Sequence, residues 1–172
     1  KERDVMSDQQ IKCQGCGSIG LERLLDLGYQ PLCNEFLPAG DAPAPQTFYP
    51  LCVCFCHQCS LAQLDYVIPT KVAFGDQYTY LTGSSESLIQ YYSQLAHKLT
   101  EKFNLRAGDT VIELGSNDGT FLKAFRSLGM NVLGIDGARK SSDFAVADGI
   151  PVIQQFFGNG SAPAIKEQLQ PG

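Results

Sequence analysis

The sequence lacks runs of Lys or Arg, and it lacks any apolar stretch long enough to cross a bilayer. Its 13 basic residues are outnumbered by 18 acidic ones, which gives a formal net charge of −5. We therefore expect no nucleic-acid binding through phosphate contacts and no membrane-spanning helix. The first residues carry charge but no apolar segment typical of a signal peptide. These absences together predict a cytoplasmic protein.

A closed disulfide framework is also excluded, because the chain has seven cysteines, an odd number. Disulfides are in addition rare in the cytosol. What is present is the composition of a packed globular protein: 44% of the 172 residues are hydrophobic and 18% are charged. This balance supports a folded core and argues against a disordered chain.

Two C-x-x-C pairs predict a structural zinc site. Cys13 and Cys16 lie in "CQGCG", and Cys56 and Cys59 lie in "CHQC". Together they offer four thiolates, the number that a structural zinc ion takes. A redox centre would need one pair at the start of a helix, and neither pair is followed by a clear helical pattern. Reduced, buried cysteines without metal remain the alternative.

The other cysteines are interpreted as small apolar residues. Cys52 and Cys54 alternate with the second knuckle in "PLCVCFC", so a strand would place them on the same face as Cys56. We expect both to lie in the core, and we interpret Cys33 in the same way. His57 stands inside a complete C-x-x-C pair, which disfavours it as a zinc ligand.

The second half of the chain predicts a helix followed by a β-α-β unit. Apolar residues recur at helical spacing in "ESLIQYYSQLAHKLTEKF", with Ser84 or Ser85 as the N-cap. His97 on this helix is interpreted as a surface or core residue without a site role. Four segments follow and complete the prediction: strands Val111–Leu114 and Asn131–Ile135, a helix at Phe121–Leu128 between them, and a third strand at Pro151–Gln154.

The turn between the first strand and its helix predicts a nucleoside cofactor. It reads "GSNDG", and Asp136 ends the next strand, where a carboxylate would accept hydrogen bonds from ribose hydroxyls. The turn lacks the G-x-G-x-x-G pattern of dinucleotide sites. Glu113 would repel phosphate and would suit the sulfonium and ammonium groups of S-adenosylmethionine. An α/β turn without a nucleotide remains an alternative, and Phe156 or Phe157 would either flank adenine or pack in the core.

Six segments in this order resemble one family: "CQGCG", "LDLGYQPLCNEF", "FCHQCSLAQL", "QYTYLTGSS", "VIELGSNDGTFL" and "LGID". The chain is similar to the N-terminal portion of S-adenosylmethionine-dependent deoxysugar C-methyltransferases with an N-terminal zinc-binding domain. Two features depart from the family pattern: Asp136 stands where relatives often have Glu, and Cys52 and Cys54 stand where relatives usually lack cysteine.

The resemblance implies an α/β protein with a small zinc-ribbon-like domain followed by the first half of a Rossmann-like class I methyltransferase domain. We divide the chain into a tail (1–11), a zinc-binding domain (12–69), a linker with the helix (70–109) and an incomplete S-adenosylmethionine-binding domain (110–172). The implied zinc ligands are Cys13, Cys16, Cys56 and Cys59. The implied cofactor-binding residues are Tyr80, Glu113, Gly115, Ser116, Asn117, Asp118, Gly119 and Asp136. Phe156 joins this set from its position after the third strand.

The implied reaction is methyl transfer to a carbon beside the ketone of a nucleotide-linked deoxysugar. Tyr80 is the candidate catalytic residue within this chain, and the main acid and base groups are expected beyond Gly172. The chain alone is therefore expected to be inactive, and its oligomeric state is not predicted. Two alternatives stay open: a non-catalytic zinc-ribbon binding module on a degenerate nucleotide-binding fold, and an O- or N-methyltransferase.

Overall fold

A computed structural model describes residues 11–36, 40, 46–75, 78–158 and 160–169. The chain separates into two compact units between Pro69 and Thr70. Apart from its last residue, the tail predicted for residues 1–11 lies outside the described residues, and the finer domain bounds stay a prediction. The described part of the chain has no helix that is both long and apolar enough to cross a membrane.

The N-terminal unit contains a three-stranded antiparallel sheet. Its strands are β1 (Glu22–Pro31), β2 (Phe48–Phe55) and β3 (Ala62–Leu64), in the order β1-β2-β3. Strand β1 contains Gly28, a residue that often ends regular structure, and continues through it. Gly28 has a φ of +69°, and the pairing with β2 shifts register between Asp26 and Tyr29. A glycine at a bulge lets the strand bend there without ending.

Sulfur forms the interior of this unit. Among its described residues, those that are buried are all cysteines: Cys13, Cys52, Cys54 and Cys56, each at most 3% exposed. The prediction that Cys52 and Cys54 are core residues is confirmed. The same prediction for Cys33 is wrong, because Cys33 is exposed in a turn after β1 has ended.

The second unit is built on a three-stranded parallel sheet. Strands β4 (Thr110–Leu114), β5 (Asn131–Ile135) and β6 (Val152–Ile153) lie side by side in that order. Helix α3 (Thr120–Ser127) connects β4 to β5, and helix α4 (Arg139–Ala147) connects β5 to β6. The other helices of the described chain are α1 (Thr70–Ala73), a short 3-10 helix (Thr82–Ser84), α2 (Glu86–Phe103) and α5 (Ser161–Leu169).

The helix predicted from the apolar spacing between Ser85 and Asn104 is confirmed as α2. The Ser85 hydroxyl accepts a hydrogen bond from the Leu88 amide, which satisfies one of the free donors at the helix start. Asn104 ends the helix in the left-handed conformation, with a φ of +52°. The predicted strands and α3 also match the structure to within about one or two residues, the usual uncertainty of element ends.

Helix α4 was not predicted, because its buried face carries small and polar residues while its large apolar residues face solvent. The residues that it buries are Ser141, Ser142 and Ala145, whereas Phe144 and Val146 are about half exposed. The two buried hydroxyls donate to the carbonyl of Ala138, at 3.0 and 2.9 Å, so burial leaves them paired. A search for apolar residues at helical spacing finds the exposed side of this helix and misses the buried one.

Gly119, which caps the start of α3, is fixed by its conformation and by its neighbours. Its φ is +73°, and a Cβ there would lie 3.1 Å from the Ala145 methyl and 3.2 Å from Ile150. Gly115 has nearly the same φ of +76°, but nothing lies within 4 Å of an added Cβ. A comparison of substitutions at the two glycines therefore distinguishes the cost of backbone strain from the cost of close packing.

We predict that Gly119→Ala destabilises the fold more than Gly115→Ala. Both variants place an L-residue in the left-handed region, at a cost of roughly 1–2 kcal/mol. Only Gly119→Ala also forces the contacts of α4 apart, which adds roughly 1 kcal/mol or more of overpacking. Urea denaturation of both variants measures the difference, and equal destabilisation would show that the packing around Gly119 yields freely.

Candidate metal centre and cofactor cavity

The four cysteines of the two C-x-x-C pairs converge on one point. The Sγ atoms of Cys13, Cys16, Cys56 and Cys59 all lie within 4.8 Å of one another. Cys13 Sγ is 3.5 Å from Cys59 Sγ, and Cys16 Sγ is 3.6 Å from Cys56 Sγ. Ligands at about 2.3 Å from a tetrahedral zinc ion would stand about 3.8 Å apart. The sulfur positions therefore fit a zinc ion held by four thiolates.

The two knuckles have the same pattern of backbone hydrogen bonds. In the first knuckle, Cys13 donates to the Ser18 carbonyl at 2.8 Å and Gly17 donates to the Cys13 carbonyl at 2.9 Å. In the second, Cys56 donates to Leu61 at 2.9 Å and Ser60 donates to Cys56 at 2.8 Å. Gly17 and Ser60 stand at equivalent positions and both have a positive φ, of +75° and +62°. Each knuckle is thus closed by its own hydrogen bonds, and the two loops have the same backbone conformation.

The Ser18 hydroxyl bridges the two knuckles. Its Oγ lies 3.2 Å from Cys16 Sγ and 3.1 Å from Cys56 Sγ. A hydroxyl beside a sulfur stabilises the thiolate, and this contact lowers the pKa of Cys56 to about 6 and also lowers the pKa of Cys16. Cys59 differs: a hydrogen bond from the Leu61 backbone lowers its pKa, but contacts with the Cys13 and Cys16 thiols outweigh it and raise the pKa to about 12. Binding of a metal ion would therefore have to displace a proton from this cluster.

The cysteines just before the second knuckle behave differently. Burial raises the pKa of Cys52 to about 11, with a further contribution from Cys54. Cys52 and Cys54 are not among the four clustered sulfurs. His57 points elsewhere too, because its Nε2 lies 2.6 Å from a carboxylate oxygen of Glu22. These placements agree with the predicted ligand set.

The second unit contains a cavity of about 340 Å³ at the carboxyl ends of β4 and β5. This volume lies in the range of small-molecule sites. Five of the nine residues predicted to bind the cofactor line it: Tyr80, Gly115, Asn117, Asp136 and Phe156. Their assignment as cofactor-binding residues stays a prediction, but the fold brings them to one place.

Asp136 is held rigidly at the edge of this cavity. Its Oδ2 accepts from the Asn117 amide and its Oδ1 accepts from the Ala138 amide, both at 2.7 Å. Two backbone donors fix the carboxylate plane, and each oxygen keeps a second lone pair for a further donor. A ligand hydroxyl would therefore meet an acceptor that is already oriented.

Phe156 is pressed against the backbone beside Asp136. A Cβ on Gly137 would lie only 2.4–2.5 Å from atoms of the Phe156 ring. The ring can occupy this position only because residue 137 has no side chain. It thereby offers an aromatic wall next to the carboxylate.

Four predicted cofactor residues do not line the cavity: Glu113, Ser116, Asp118 and Gly119. The Ser116 side chain fills the space above Gly134, where a Cβ would lie 2.4 Å from the serine oxygen. Asp118 is 5% exposed, and both its carboxylate oxygens are engaged by protein donors. These residues support the turn through contacts within the protein. A sequence pattern cannot distinguish this role from direct contact with a ligand.

Glu113 lies on β4 close to two other acids. Burial, with the charges of Asp118 and Asp136, raises its pKa to about 7 from an ordinary value of 4.5. Its Oε2 is buried and has no hydrogen-bond partner in the described part of the chain. The carboxyl is therefore only partly ionised at neutral pH in the free protein, and a cation nearby would restore the full charge.

Sequence reasoning missed much of the cavity wall. The residues that it did not assign are Thr70, Phe74, Tyr78, Thr82, Ile135, Gly137, Ala138, Gln155 and Phe157. Phe157 had been considered, with Phe156, as a residue that would flank adenine or pack in the core. Tyr78 and Thr82 lie in the "YTYLTGSS" segment, so the family resemblance was the available signal. Nothing in local periodicity marks Thr70 or Phe74.

One orphaned donor supports a polar ligand in the cavity. Gln155 lines it, and its Nε2 is buried without a hydrogen-bond partner in the described structure. Buried donors are seldom left unpaired, and an unpaired one costs roughly 1–3 kcal/mol. Together with the oriented Asp136 carboxylate and the Phe156 ring, this donor fits an aromatic, hydroxyl-bearing group such as a nucleoside.

Comparison with known proteins adds two findings. Residues 13–74 match the protein family described as "Putative zinc binding domain". The chain is also 34% identical over 146 residues to C-methyltransferase NovU of Streptomyces niveus. That alignment covers 85% of this chain and 34% of the relative, so the chain spans about a third of the length of the curated protein it matches.

We predict that Cys59→Ser and Cys13→Ser each abolish zinc binding and unfold the N-terminal unit. Each removes one thiolate, and metal binding supplies folding free energy that an interior made of cysteines cannot replace. Elemental analysis of the purified protein should give about one zinc per wild-type chain. Cys52→Ala is the matched control and should keep the metal, so loss of zinc in that variant would contradict the ligand assignment.

We predict that Glu113 makes folding less favourable as the pH rises. Its pKa is about 7 when folded and lies near 4.5 ordinarily, so the folded state binds the extra proton between these values. Stability from this residue is full below pH 4.5 and declines up to about pH 7. The advantage of Glu113→Gln over wild type, in free energy of unfolding, should therefore grow from pH 5 to pH 8.

Subtracting wild type from variant at each pH removes the contribution of the zinc thiolates, which both proteins share. Glu101→Gln, an exposed substitution on α2, controls for the change in net charge. A pH-independent advantage of Glu113→Gln would mean that Glu113 is ionised over the whole range.

Proposed function

We propose that the chain serves S-adenosylmethionine-dependent methyl transfer as the N-terminal part of a C-methyltransferase, because residues 13–74 match a zinc-binding domain family and 146 residues are 34% identical to a C-methyltransferase. The observation that carries the proposal is the cavity at the ends of β4 and β5, with the oriented Asp136 carboxylate at its edge. The parallel sheet then corresponds to the first half of a Rossmann-like class I methyltransferase domain. The proposal concerns the whole protein, of which these residues form a part.

Each cavity residue has a proposed task. Asp136 accepts hydrogen bonds from the ribose hydroxyls, and its two backbone donors hold the carboxylate in place. Phe156 packs against the adenine, and Gln155 donates its unpaired Nε2 hydrogen to a polar atom of the nucleoside. Gly115 leaves the backbone open to close approach. When bound, S-adenosylmethionine supplies an electrophilic methyl group on a sulfonium.

Glu113 contributes through its charge, since it does not line the cavity. Its pKa of about 7 means that a cationic ligand would draw it toward the ionised form, which in turn favours the cation. This linkage is more favourable to a sulfonium than to a pyrophosphate, whose negative charge the three acids of this region would repel.

The proposed acceptor is a carbon beside the ketone of a nucleotide-linked deoxysugar. Deprotonation of that carbon needs a base, and among the described residues the ionisable groups that line the cavity are Tyr78, Tyr80 and Asp136. Asp136 is assigned to the ribose hydroxyls, and two backbone amides hold its carboxylate in that position. We therefore propose that Tyr80 contacts the reacting groups and that the principal base comes from another part of the whole protein, so that this chain alone is inactive.

The remaining proposals concern the setting of the enzyme. The zinc ion is structural: four protein thiolates complete a tetrahedral site and leave no open position for substrate. The partner is a small-molecule substrate, and neither nucleic acid nor membrane is proposed as a ligand. We place the protein in the cytoplasm, which suits reduced cysteines.

We predict that Asp136→Ala weakens S-adenosylmethionine binding by roughly 1.5–3 kcal/mol, the range for a hydrogen bond to a charged group. Calorimetry on the full-length protein measures the affinity. Asp143→Ala, which removes the same charge from α4 outside the cavity, should leave it unchanged. Wild-type affinity in Asp136→Ala would remove this residue from the site, and no binding by wild type would favour a non-catalytic zinc-ribbon module.

A further inference from the structure

The Gly115–Gly119 turn grips a distant segment of the chain, residues Tyr80 to Gly83. Asn117 Oδ1 accepts from the Thr82 amide at 2.9 Å and from the Thr82 hydroxyl at 3.3 Å. Its Nδ2 donates to the Tyr80 carbonyl at 3.0 Å. Two donors face the amide oxygen and one acceptor faces the amide nitrogen, so the partners fix the orientation of the side chain.

Asp118 grips the next residue of the same segment. Its Oδ2 accepts from the Gly83 amide at 2.7 Å, while its Oδ1 accepts from the amide and hydroxyl of Thr120, at 3.1 and 2.6 Å. A Cβ on Gly83 would lie 2.8 Å from Thr120 Oγ1 and 2.9 Å from Asp118 Oδ2. The segment thus fits against the turn only where residue 83 has no side chain. We call these hydrogen bonds of Asn117 and Asp118 the clasp.

The clasp reaches the cavity through a single residue. The amide of Asn117 donates to Asp136 Oδ2 at 2.7 Å, and its side chain holds Tyr80 and Thr82, which line the same cavity. Asn117 itself has a φ of +50°, a conformation that Asn tolerates better than most residues. The acid on one wall and the tyrosine on the opposite segment are therefore connected by one side chain and one peptide group.

We propose that Asn117 and Asp118 are positioning residues that hold Tyr80 against the cofactor cavity, and that cofactor affinity depends on this clasp. The inference rests on the proposed function, since it takes S-adenosylmethionine as the ligand. It assigns Asp118 a role different from direct binding, because both its oxygens already serve the protein. It also explains the residues that follow Tyr80: Thr82 donates both its amide and its hydroxyl to the turn, and Gly83 donates its amide from a position where a Cβ would not fit.

A purely structural role for the clasp makes a different prediction. The held segment leads into Ser85, the N-cap of α2, so the clasp also anchors that helix. If anchoring were all, losing the clasp would lower the melting temperature without changing the affinity of the folded protein. Positioning of Tyr80 instead predicts a change in affinity that disappears when Tyr80 is removed.

Two substitutions break the clasp with opposite changes of charge. Asn117→Asp keeps the size of the side chain and the left-handed backbone, but places a carboxylate oxygen against the Tyr80 carbonyl. Asp118→Asn leaves an NH₂ group facing a backbone N–H, of Gly83 or of Thr120, in either orientation of the amide. One adds and the other removes a negative charge, so an effect shared by both is not electrostatic in origin.

Gly83→Ala breaks the clasp from the other side without a charge change, because its methyl group displaces Asp118 and Thr120. The matched control is Asn104→Asp, which makes the same chemical change at another left-handed residue, φ +52°, outside the cavity. All variants are made in the full-length protein. Calorimetry gives the Kd for S-adenosylmethionine, and hydrogen exchange reports the amides of Thr82 and Gly83.

In the three clasp variants we expect exchange at residues 80–83 to be about tenfold faster or more, because a local opening replaces the hydrogen bonds. We expect the Kd to rise roughly fivefold or more in each, since one or more hydrogen bonds that hold the wall are lost. Asn104→Asp should leave both quantities within about twofold of wild type. In a Tyr80→Ala background, Asn117→Asp should no longer change the Kd, because the two act as one unit.

Faster exchange with an unchanged Kd would overturn the proposal and leave the clasp as an anchor of α2. An effect of Asn117→Asp that persists in the Tyr80→Ala background would equally overturn it, since the residue would then act on the ligand directly. Absence of S-adenosylmethionine binding by the wild-type protein would instead defeat the proposed function, while the exchange rates would still show whether the clasp forms.

Discussion

The meeting of four sulfurs is the constraint on which the N-terminal unit depends. The described part of that unit buries no aliphatic or aromatic side chain fully, and its interior consists of cysteines. Burial of Cys52 and Cys54 removes too little apolar area to offset the entropy of ordering a sheet of this size. Strand β1 is exposed along its whole length, so the sheet gains little from its other face. Zinc held by the clustered thiols of Cys13, Cys16, Cys56 and Cys59 would supply the missing folding free energy.

The second unit is held together in the opposite way, by apolar packing around its sheet. Phe125 and Met130 pack with Ala96 of α2, while Leu122 packs with Ala145 and Ile150. This core leaves the carboxyl ends of the strands free for polar residues, as parallel sheets generally do. The turn after β4 then does two jobs. It offers Gly115 and the Asp136 carboxylate to the cavity, and it uses Asn117 and Asp118 to hold the opposite wall.

The sequence was informative where chemistry repeats at short range. Two C-x-x-C pairs, the apolar spacing of α2 and the strand-turn-helix around Gly115 all lie within windows of a few residues, and their structures follow local rules. It was uninformative where a residue serves a distant partner. Asp118 looks like a ligand-facing acid, and only the fold shows that Gly83 occupies it. The buried serines of α4 and the exposed Cys33 were not predicted for a related reason, since burial depends on what packs against a residue.

The twin shape of the two knuckles has a consequence for how metal is exchanged. Each loop is closed by its own backbone hydrogen bonds, so each presents two thiolates without the help of the other. Cys16 and Cys56 are 40 residues apart, and an ion held by one loop would meet the second at the high effective concentration of a tethered partner. We therefore expect release to pass through an ion bound by one knuckle and repeatedly recaptured by the other, so that transfer of the metal to a chelator is slow.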